Sequence, residues 1–355
     1  MADFKGSKCN NIRHQILKFH YQTRSNLYYF LYSGAKFELK FAANSAYKLK
    51  NKRQKMITAK ALYASARLRS LPLSVSGVLL GSGAAYGAGA FRADIFALAL
   101  LTTLLFQVLS DYANDYGDAI KGTDDDGRLG PRRAIQTGQM SAAEMKRVIV
   151  ATALLAAFSS LALSVLAFGE RFYLVLLFLA LGGASIYAAI RYTVGAGAYG
   201  YLGLGDVFVF LFFGLLSVLG SYFLYARSLD TELLLPACAC GLLSTAVLNL
   251  NNMRDIQNDA LKGKRTVPVR IGLRAAKRYH YALIVGGASL MLYYSLLRGE
   301  PGVKLLYVIS FAPLIWHLFF VLRVRECRDY DGQLKVVVLC TFAMSALFFV
   351  EEIWG

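Results

Sequence analysis

Residues 202–225 read LGLGDVFVFLFFGLLSVLGSYFLY, a run of 24 residues in which Asp206 is the one charge. A helix of about 20 apolar residues crosses the hydrocarbon core of a bilayer, so this run predicts a membrane span. Similar runs recur along the chain. The nine predicted spans are 71–90, 94–113, 148–168, 172–190, 202–225, 232–252, 279–297, 303–322 and 334–352. We therefore predict an all-α integral membrane protein, a bundle of about nine transmembrane helices, because helices satisfy their own backbone hydrogen bonds in lipid.

The composition supports the same class. Of 355 residues, 56% are hydrophobic and only 17% are charged, which is too little charge to cover a soluble protein of this length. The net charge is +17, and residues 1–55 alone hold 12 Lys or Arg against two acids. We interpret this excess as cationic cytoplasmic segments. A nucleic-acid partner is not predicted, since it would need a basic face on a soluble surface.

The distribution of positive charge predicts the orientation. With a cytoplasmic N-terminus, the cytoplasmic segments after residue 55 carry 22 Lys or Arg, and the outer connections carry five. The five outer residues are Arg92, Arg171, Arg227, Arg298 and Lys304. Because Lys and Arg are retained on the cytoplasmic side, the sequence predicts a multi-pass membrane protein with its N-terminus in the cytoplasm and its C-terminus outside. We predict that this membrane is the bacterial inner membrane.

The first 55 residues are basic and lack an apolar run long enough for a span. Three interpretations stay open: a cytoplasmic tail, an organellar transit peptide, and a mis-assigned start with translation beginning at Met56. We favour a mis-assigned start or a dispensable tail, and we place the membrane domain at residues 56–355. Removal of residues 1–55 is then expected to leave activity intact.

Cysteine and histidine do not suggest a metal site. The five cysteines lack the spacing of metal ligands, and the four histidines are scattered. Cys238 and Cys240 lie in an apolar span and are interpreted as small packing residues.

Two acidic stretches follow predicted spans and match each other. Residues 111–126 read DYANDYGDAIKGTDDD, and residues 249–265 read NLNNMRDIQNDALKGKR. Shifting the first by 141 positions superimposes four pairs: Asn114 on Asp255, Asp118 on Asp259, Lys121 on Lys262 and Gly122 on Gly263. This pattern indicates an internal duplication, with acidic loops on the cytoplasmic side in both copies.

The spacing of the acids suggests a metal site. Residues four apart share one face of a helix, so Asn114 with Asp118, and Asp255 with Asp259, each present two oxygen ligands in one direction. Facing helix ends would concentrate negative charge that Mg²⁺ could balance, with water and phosphate oxygens completing its shell. Six basic side chains could bind the phosphate oxygens: Lys121, Arg132, Arg133, Lys264, Arg265 and Arg270. The alternative is a pair of ordinary solvated loops, although acids at helix C-termini oppose the helix dipole.

These residues resemble the UbiA-type intramembrane prenyltransferases, and within them the branch that prenylates 1,4-dihydroxy-2-naphthoate. The resemblance covers residues 58–350. It is carried by Arg69 to Pro72, Asn114 to Asp118, Lys121 to Asp124, Arg128 to Pro131, Tyr192-Thr193, Tyr199 to Asp206, Asn251 to Asp255 and Gly263 to Arg270. The two acidic motifs mark the superfamily, and the Gly- and Tyr-rich stretch before Asp206 points to the naphthoate branch.

The resemblance implies a reaction and a site. The reaction is transfer of a polyprenyl group from polyprenyl diphosphate to 1,4-dihydroxy-2-naphthoate, with loss of CO₂ and diphosphate, giving demethylmenaquinone. The implied ligands of two Mg²⁺ are Asn114, Asp115, Asp118, Asp124, Asp255 and Asp259. The implied catalytic residues are Asp118, Asp255, Asp259 and Asp206, the last holding a phenolic proton. The implied substrate-binding residues are Asn114, Lys121, Arg132, Lys264, Arg265, Arg270, Tyr192, Tyr199 and Tyr201.

Several alternatives remain at this point. The three tyrosines would also suit the aromatic belt at the membrane interface. The same fold could prenylate 4-hydroxybenzoate, homogentisate or haem. A membrane transporter would also show internal repeats, but its ionisable groups would lie near the bilayer midplane on broken helices. Here the acids lie at the ends of spans.

Overall fold

The computed structural model describes residues 61–125, 127–298 and 305–354, together with Gln22 and Ala59. All secondary structure in the long described ranges is helical. The chain divides into two units, Met1–Lys60 and Ala61–Gly355. Apart from Gln22, the predicted tail 1–55 lies outside the described residues, as does Lys304, so the boundary after residue 55 and the dispensability of the tail stay predictions.

The described residues of the second unit include nine long helices and two short ones. They are α1 (Leu71–Gly87), α2 (Ala93–Ile120), α3 (Ala142–Phe168), α4 (Phe172–Arg191), α5 (Gly205–Ala226), α6 (Leu234–Arg254), α7 (Ile256–Leu261), α8 (Val267–Ile271), α9 (Leu273–Leu297), α10 (Phe311–Arg323) and α11 (Tyr330–Trp354). Eight of the long helices, some with a preceding 3₁₀ turn, are long and apolar enough to cross a membrane. The ninth, α1, has 17 residues. The predicted all-α multi-pass architecture is confirmed.

The helix ends differ from the predicted span ends. Helix α2 continues past residue 113 to Ile120, so Asp111, Asp115 and Asp118 of the first motif lie on the helix itself. Helix α3 begins at Ala142 because Ser141 and Glu144 form a capping box. The reason is general: hydropathy marks the part of a helix in lipid, whereas capping and hydrogen bonding decide where the helix ends.

Small residues let the helices approach closely. Helix α1 packs against α5 and α11, and α6 packs against α5, α9 and α11. A Cβ atom added at Gly81 of α1 would lie 2.4 Å from the carbonyl oxygen of Val218, and one at Gly214 of α5 would lie 2.6 Å from that of Ala237. Close approach through glycine is a common basis of helix association in membranes.

Helix α5 contains a π-helical segment, Phe210–Leu216. The wider turn changes the direction of the side chains that follow it, and π segments are often found at functional sites. Phe212 and Phe213, within this segment, line the cavity described below.

Candidate active site

The first acidic motif occupies the last turns of α2, and two arginines contact its central acid. Arg67 Nη2 donates a 2.6 Å hydrogen bond to Asp115 Oδ1, and Arg67 Nη1 lies 3.3 Å from Asp111 Oδ1. Arg133 donates to the same Asp115 oxygen. Asp115 is completely buried, so the two guanidinium groups provide the positive charge that a buried carboxylate requires.

Asn114 and Asp118, four residues apart, both line the cavity. Asp118 Oδ1 accepts a 2.8 Å hydrogen bond from the Tyr201 hydroxyl, and Lys264 Nζ lies 3.7 Å from Asp118 Oδ2. The Oδ1 atom of Asn114 is buried without a hydrogen-bond partner. A buried oxygen acceptor of this kind is suited to a cation.

The second acidic motif is built on an interrupted helix. Helix α6 ends at Arg254, Asp255 leaves the helical conformation, and α7 begins at Ile256. The amide of Asp259 nevertheless donates a 2.9 Å hydrogen bond to the Asp255 carbonyl, which keeps one helical turn between the two acids. Both acids therefore line the same cavity as Asn114 and Asp118.

Asp255 is held by a buried arginine. Arg254 Nη2 donates a 2.7 Å hydrogen bond to Asp255 Oδ2, and the Leu129 amide donates one of 3.2 Å to Asp255 Oδ1. Burial alone would raise the pKa of Asp255, but the hydrogen bond and charge of Arg254 keep it below the usual range. By contrast, burial raises the pKa of Asp259 to about 6, although the charge of Lys264 acts in the opposite direction.

The loops after the two motifs interlock. The Nε atom of Arg128, which follows the first motif, lies 3.1 Å from Asp124 Oδ1 and 3.9 Å from Asp255 Oδ2. Asn258 of the second motif donates a 3.0 Å hydrogen bond to the carbonyl of Thr123. Burial raises the pKa of Asp124 to about 6, against the lowering effect of Arg128. Arg128 therefore interacts with an acid from each copy.

A cavity of about 390 Å³ begins at these acids and extends between the helices. Its polar lining includes Arg67, Asp111, Asn114, Asp118, Asp124, Arg128, Arg133, Asn251, Asp255, Asn258, Asp259 and Lys264. Its apolar lining includes Leu73, Ala99, Phe106, Leu163, Phe178, Leu181, Phe208, Phe212, Phe213, Leu216, Leu224 and Val338. A charged end joined to a long apolar wall suits a ligand with an anionic head and a hydrocarbon tail.

The sequence profile of the UbiA prenyltransferase family matches residues 74–347. The chain belongs to this family. The 1,4-dihydroxy-2-naphthoate octaprenyltransferase of Escherichia coli K12 is 43% identical over 295 residues, covering 83% of this chain and 96% of the relative. The enzyme of the same name from Haemophilus influenzae is 41% identical over 287 residues, covering 80% and 92%. The family resemblance inferred from the motifs is confirmed.

A solved structure shares the fold. The UbiA homologue from Archaeoglobus fulgidus, bound to DMAPP and Mg²⁺, covers 81% of this chain and 97% of its own, with a TM-score of 0.53 and 19% identity. At this identity the likeness concerns the helical architecture alone. Membership of a UbiA prenyltransferase family also argues against the transporter alternative.

The predicted site residues of this UbiA protein fall into two groups. Those that line the cavity are Asn114, Asp118, Asp124, Arg133, Asp255, Asp259, Lys264, Tyr192 and Tyr199. Those outside its lining are Asp115, Lys121, Arg132, Asp206, Tyr201, Arg265 and Arg270. The second group surrounds the site: for example, Lys121 Nζ lies 3.9 Å from the centre of the Tyr201 ring. Their assigned roles stay predictions.

Two predicted residues of this outer group make contacts that differ from their predicted roles. The guanidinium group of Arg270 is exposed and donates hydrogen bonds to the carbonyls of Leu202 and Arg265, which ties the 3₁₀ turn Tyr199–Leu202 to the second motif. Asp206 is buried at the start of α5 and interacts with Tyr279 on α9. Neither interaction is with an acidic side chain of the two motifs.

Three arginines at the site were not identified as site residues from the sequence: Arg67, Arg128 and Arg254. Arg67 is one of the described non-glycine residues in the left-handed region, with φ of +43°. It lies 48 residues from Asp115 in the sequence, so no local spacing indicates the pair. Arg128 and Arg254 stand in the quoted family motifs, and their position beside the acids was the signal that could have identified them.

The described part of the chain contains no preassembled cluster of three or more His, Cys, Asp or Glu that could hold a metal ion. This does not conflict with Mg²⁺, which usually binds one or two carboxylates and takes its other ligands from water and substrate phosphates. Asn114 Oδ1 and both carboxylate oxygens of Asp124 are buried without a hydrogen bond. These atoms, with Asp118 and Asp259, fit such a partly hydrated ion.

Two histidines that are far apart in the sequence, His280 and His317, lie together in the structure. His280 Nε2 lies 2.7 Å from His317 Nε2, and His317 Nδ1 lies 2.7 Å from Gln333 Oε1. These side chains join α9, α10 and α11 inside the bundle. Buried polar groups require such partners, so the contact is a polar link between helices.

Proposed function

We propose that this protein transfers a polyprenyl group from polyprenyl diphosphate to 1,4-dihydroxy-2-naphthoate, releasing CO₂ and diphosphate and forming demethylmenaquinol, whose oxidation gives the demethylmenaquinone of menaquinone biosynthesis. The relatives from E. coli and H. influenzae, named 1,4-dihydroxy-2-naphthoate octaprenyltransferases, support this proposal over more than nine-tenths of their own length. The observation that carries it is the cavity whose charged end is formed by both acidic motifs and whose walls are apolar.

Mg²⁺ is the proposed cofactor, in keeping with the A. fulgidus homologue, which is bound to Mg²⁺ and DMAPP. Asn114, Asp118, Asp124, Asp255 and Asp259 would hold it, with Asp115 as a further predicted ligand. When bound, Mg²⁺ offsets the charge that develops on the departing diphosphate. The oxygen-rich lining favours this hard cation over a soft metal.

The basic residues bind the diphosphate in this proposal. Arg67, Arg128, Arg133 and Lys264 line the charged end of the cavity, where they can donate hydrogen bonds to phosphate oxygens. Burial would lower the pKa of Lys264, but the charges of Asp118 and Asp259 raise it above its usual range, so this lysine stays protonated. Fixed positive charge at the leaving group favours ionisation of the allylic C–O bond.

The apolar walls protect the reacting carbon. An allylic cation reacts rapidly with water, and Phe208, Phe212 and Phe213 form part of a wall from which water is excluded. The electron-rich naphthoate ring then attacks at the carbon that bears the carboxylate, and CO₂ leaves as the ring regains aromaticity. Tyr192 and Tyr199, which line the cavity, offer ring faces for stacking against this acceptor.

The test uses membranes from cells that express the full chain. With Mg²⁺, a long-chain polyprenyl diphosphate and 1,4-dihydroxy-2-naphthoate, they should form demethylmenaquinone and release CO₂, and EDTA should stop both. 4-Hydroxybenzoate should be a poor substitute in the same membranes. Comparable prenylation of 4-hydroxybenzoate would overturn the acceptor, whereas absence of any prenylated product would overturn the function.

We also propose the orientation predicted from the charge distribution: a bacterial inner-membrane protein with a cytoplasmic N-terminus and an outer C-terminus. The acidic motifs would then face the cytoplasm. An alkaline phosphatase fused after Gly355 should be active in a bacterial host. A silent phosphatase together with an active cytoplasmic reporter at the same point would reverse the topology.

A further inference from the structure

Arg254 connects the second acidic motif to the start of the last helix. Its side chain is completely buried at the end of α6. Arg254 Nη1 lies 2.5 Å from Asp331 Oδ1, at the start of α11, while Arg254 Nη2 and Nε contact the two oxygens of Asp255. One guanidinium group therefore bridges a cavity-lining acid and an acid outside the cavity lining.

The contacts fix the arginine from several directions. Besides the two acids, Asn251 Oδ1 accepts a 2.8 Å hydrogen bond from Arg254 Nη2. Asp331 lies in the first turn of α11, where the helix dipole favours a negative charge. Arg69, just before α1, lies 3.5 Å from the same Asp331 oxygen. Asp331 thus ties the α6 end to the starts of α1 and α11.

We propose that Asp331 is a positioning residue for the divalent-cation site: it holds Arg254 so that Asp255 keeps the orientation and charge needed to bind the ion. This inference rests on the proposed function, because it concerns the same acids.

The physical reason is the sharing of one positive charge between two carboxylates. With Asp331 present, part of the charge of Arg254 is balanced outside the cavity, so Asp255 retains negative charge for a cation. Without Asp331, the whole guanidinium charge is balanced by Asp255. The guanidinium group also loses one of its three hydrogen-bonding partners, which are Asp331, Asp255 and Asn251. Residues behind a metal ligand commonly affect metal affinity by orienting that ligand.

The experiment compares four forms of the full-length protein in detergent: wild type, Asp331→Asn, Asp331→Glu and the control Asp329→Asn. Asp329 is an exposed acid in the adjacent 3₁₀ turn, so its removal changes the charge near α11 without touching Arg254. The probe is Mn²⁺ without substrate, since oxygen ligands that suit Mg²⁺ also bind Mn²⁺. Binding is measured by the loss of the electron paramagnetic resonance signal of free Mn²⁺, and folding by thermal unfolding.

The expected result is a dissociation constant for Mn²⁺ raised about three- to tenfold in Asp331→Asn, somewhat less than the loss typical of a residue that contacts a metal ligand directly. In Asp331→Glu, the logarithm of the Mn²⁺ dissociation constant should return at least halfway from the Asp331→Asn value to the wild-type value. Asp329→Asn should bind Mn²⁺ as tightly as wild type. A folded Asp331→Asn protein whose Mn²⁺ affinity stays within about twofold of wild type would overturn the inference.

A double-mutant cycle with Arg254→Lys separates positioning from mere stabilisation. If Asp331 acts through Arg254, then Asp331→Asn should change Mn²⁺ affinity little in the Arg254→Lys background, whereas independent effects would add. Additive effects would overturn the inference. If Asp331→Asn does not fold, Asp331→Ser and its cycle with Arg254→Lys give the same decision. Failure of the wild type to bind Mn²⁺ would instead overturn the proposed cation site.

Discussion

The two acidic motifs are copies in sequence but differ in how they are built. The first lies on the continuous end of α2, and the arginines that neutralise it come from elsewhere, Arg67 before α1 and Arg133 in the loop between α2 and α3. The second interrupts its helix at Asp255 and carries its own arginine, Arg254, next to that acid. The position that corresponds to Arg254 in the first copy is Ala113.

This difference shows how a duplicated element can form one asymmetric site. In the first copy, Thr193 donates to the carbonyl of Ala113, and a Cβ atom at Gly117 would lie 2.3 Å from the Thr193 hydroxyl oxygen. Close packing of that kind leaves no room for an arginine. The arginines that neutralise the acids therefore come from distant positions in the sequence in the first copy and from the adjacent residue in the second. Both copies nevertheless direct acids to the same cavity.

The largest effect should come from Asp118 and Asp259, the acids that occupy corresponding positions in the two copies. Asp118→Ala and Asp259→Ala should each reduce prenyl transfer below about a tenth of wild type, because each removes an oxygen ligand that the remaining acids cannot replace. The measurement is demethylmenaquinone formation in membranes at saturating Mg²⁺. Immunoblots of the membrane fraction should show normal insertion.

The control for this pair is Asp94→Ala, at the opposite end of α2, where the carboxylate is exposed and paired with Arg92. It should retain wild-type activity, since a surface ion pair contributes little. If either motif variant kept more than about a tenth of wild-type activity while inserting normally, the two copies would not share one site.

Much of this architecture could be predicted from the sequence. Apolar runs identified the spans because lipid exposure imposes apolar side chains, and the shift of 141 residues aligned the motifs because both copies use four-residue spacing. The break at Asp255 was not predictable from spacing, since an interrupted helix keeps its register through one hydrogen bond. The partners of Asp115 could not be predicted either, because they depend on tertiary contacts.

A smaller effect should separate the roles of Asp115 and Asp118. The sequence predicts both as metal ligands, yet Asp115 contacts two arginines instead of lining the cavity. Asp115→Asn should raise KM for polyprenyl diphosphate about tenfold by misplacing Arg67 and Arg133, and should leave the Mg²⁺ concentration for half-maximal rate unchanged. The measurement is a kinetic titration of both ligands. A changed Mg²⁺ requirement with unchanged KM would instead support the ligand role.

A still smaller effect is expected at Asp206. A group that transfers a proton in the reaction typically contributes at least about a hundredfold to the rate. Because Asp206 contacts Tyr279 and lies outside the cavity lining, Asp206→Asn should lower kcat by much less than this. Phe208→Tyr, which alters the cavity wall two residues further on, provides a comparison for general disturbance of α5. A loss of a hundredfold or more in Asp206→Asn alone would support the predicted role in holding a phenolic proton.

The smallest effect concerns pH, and it compares one acid from each copy. Burial raises the pKa values of Asp124 and Asp259 to about 6, above the value of about 4 in an unfolded chain. Between these values the folded protein binds more protons than the unfolded chain, so without Mg²⁺ the folded state should gain stability as pH falls through about 6. Mg²⁺ binds the ionised acids, so its stabilising effect should shrink over the same range. The measurement is thermal unfolding followed by circular dichroism at about pH 7.5 and about pH 5.5, with and without Mg²⁺. Addition of Mg²⁺ should raise Tm by a few degrees, and this rise should be larger at the higher pH. An equal rise at both values would mean that these two acids do not take part in binding the ion.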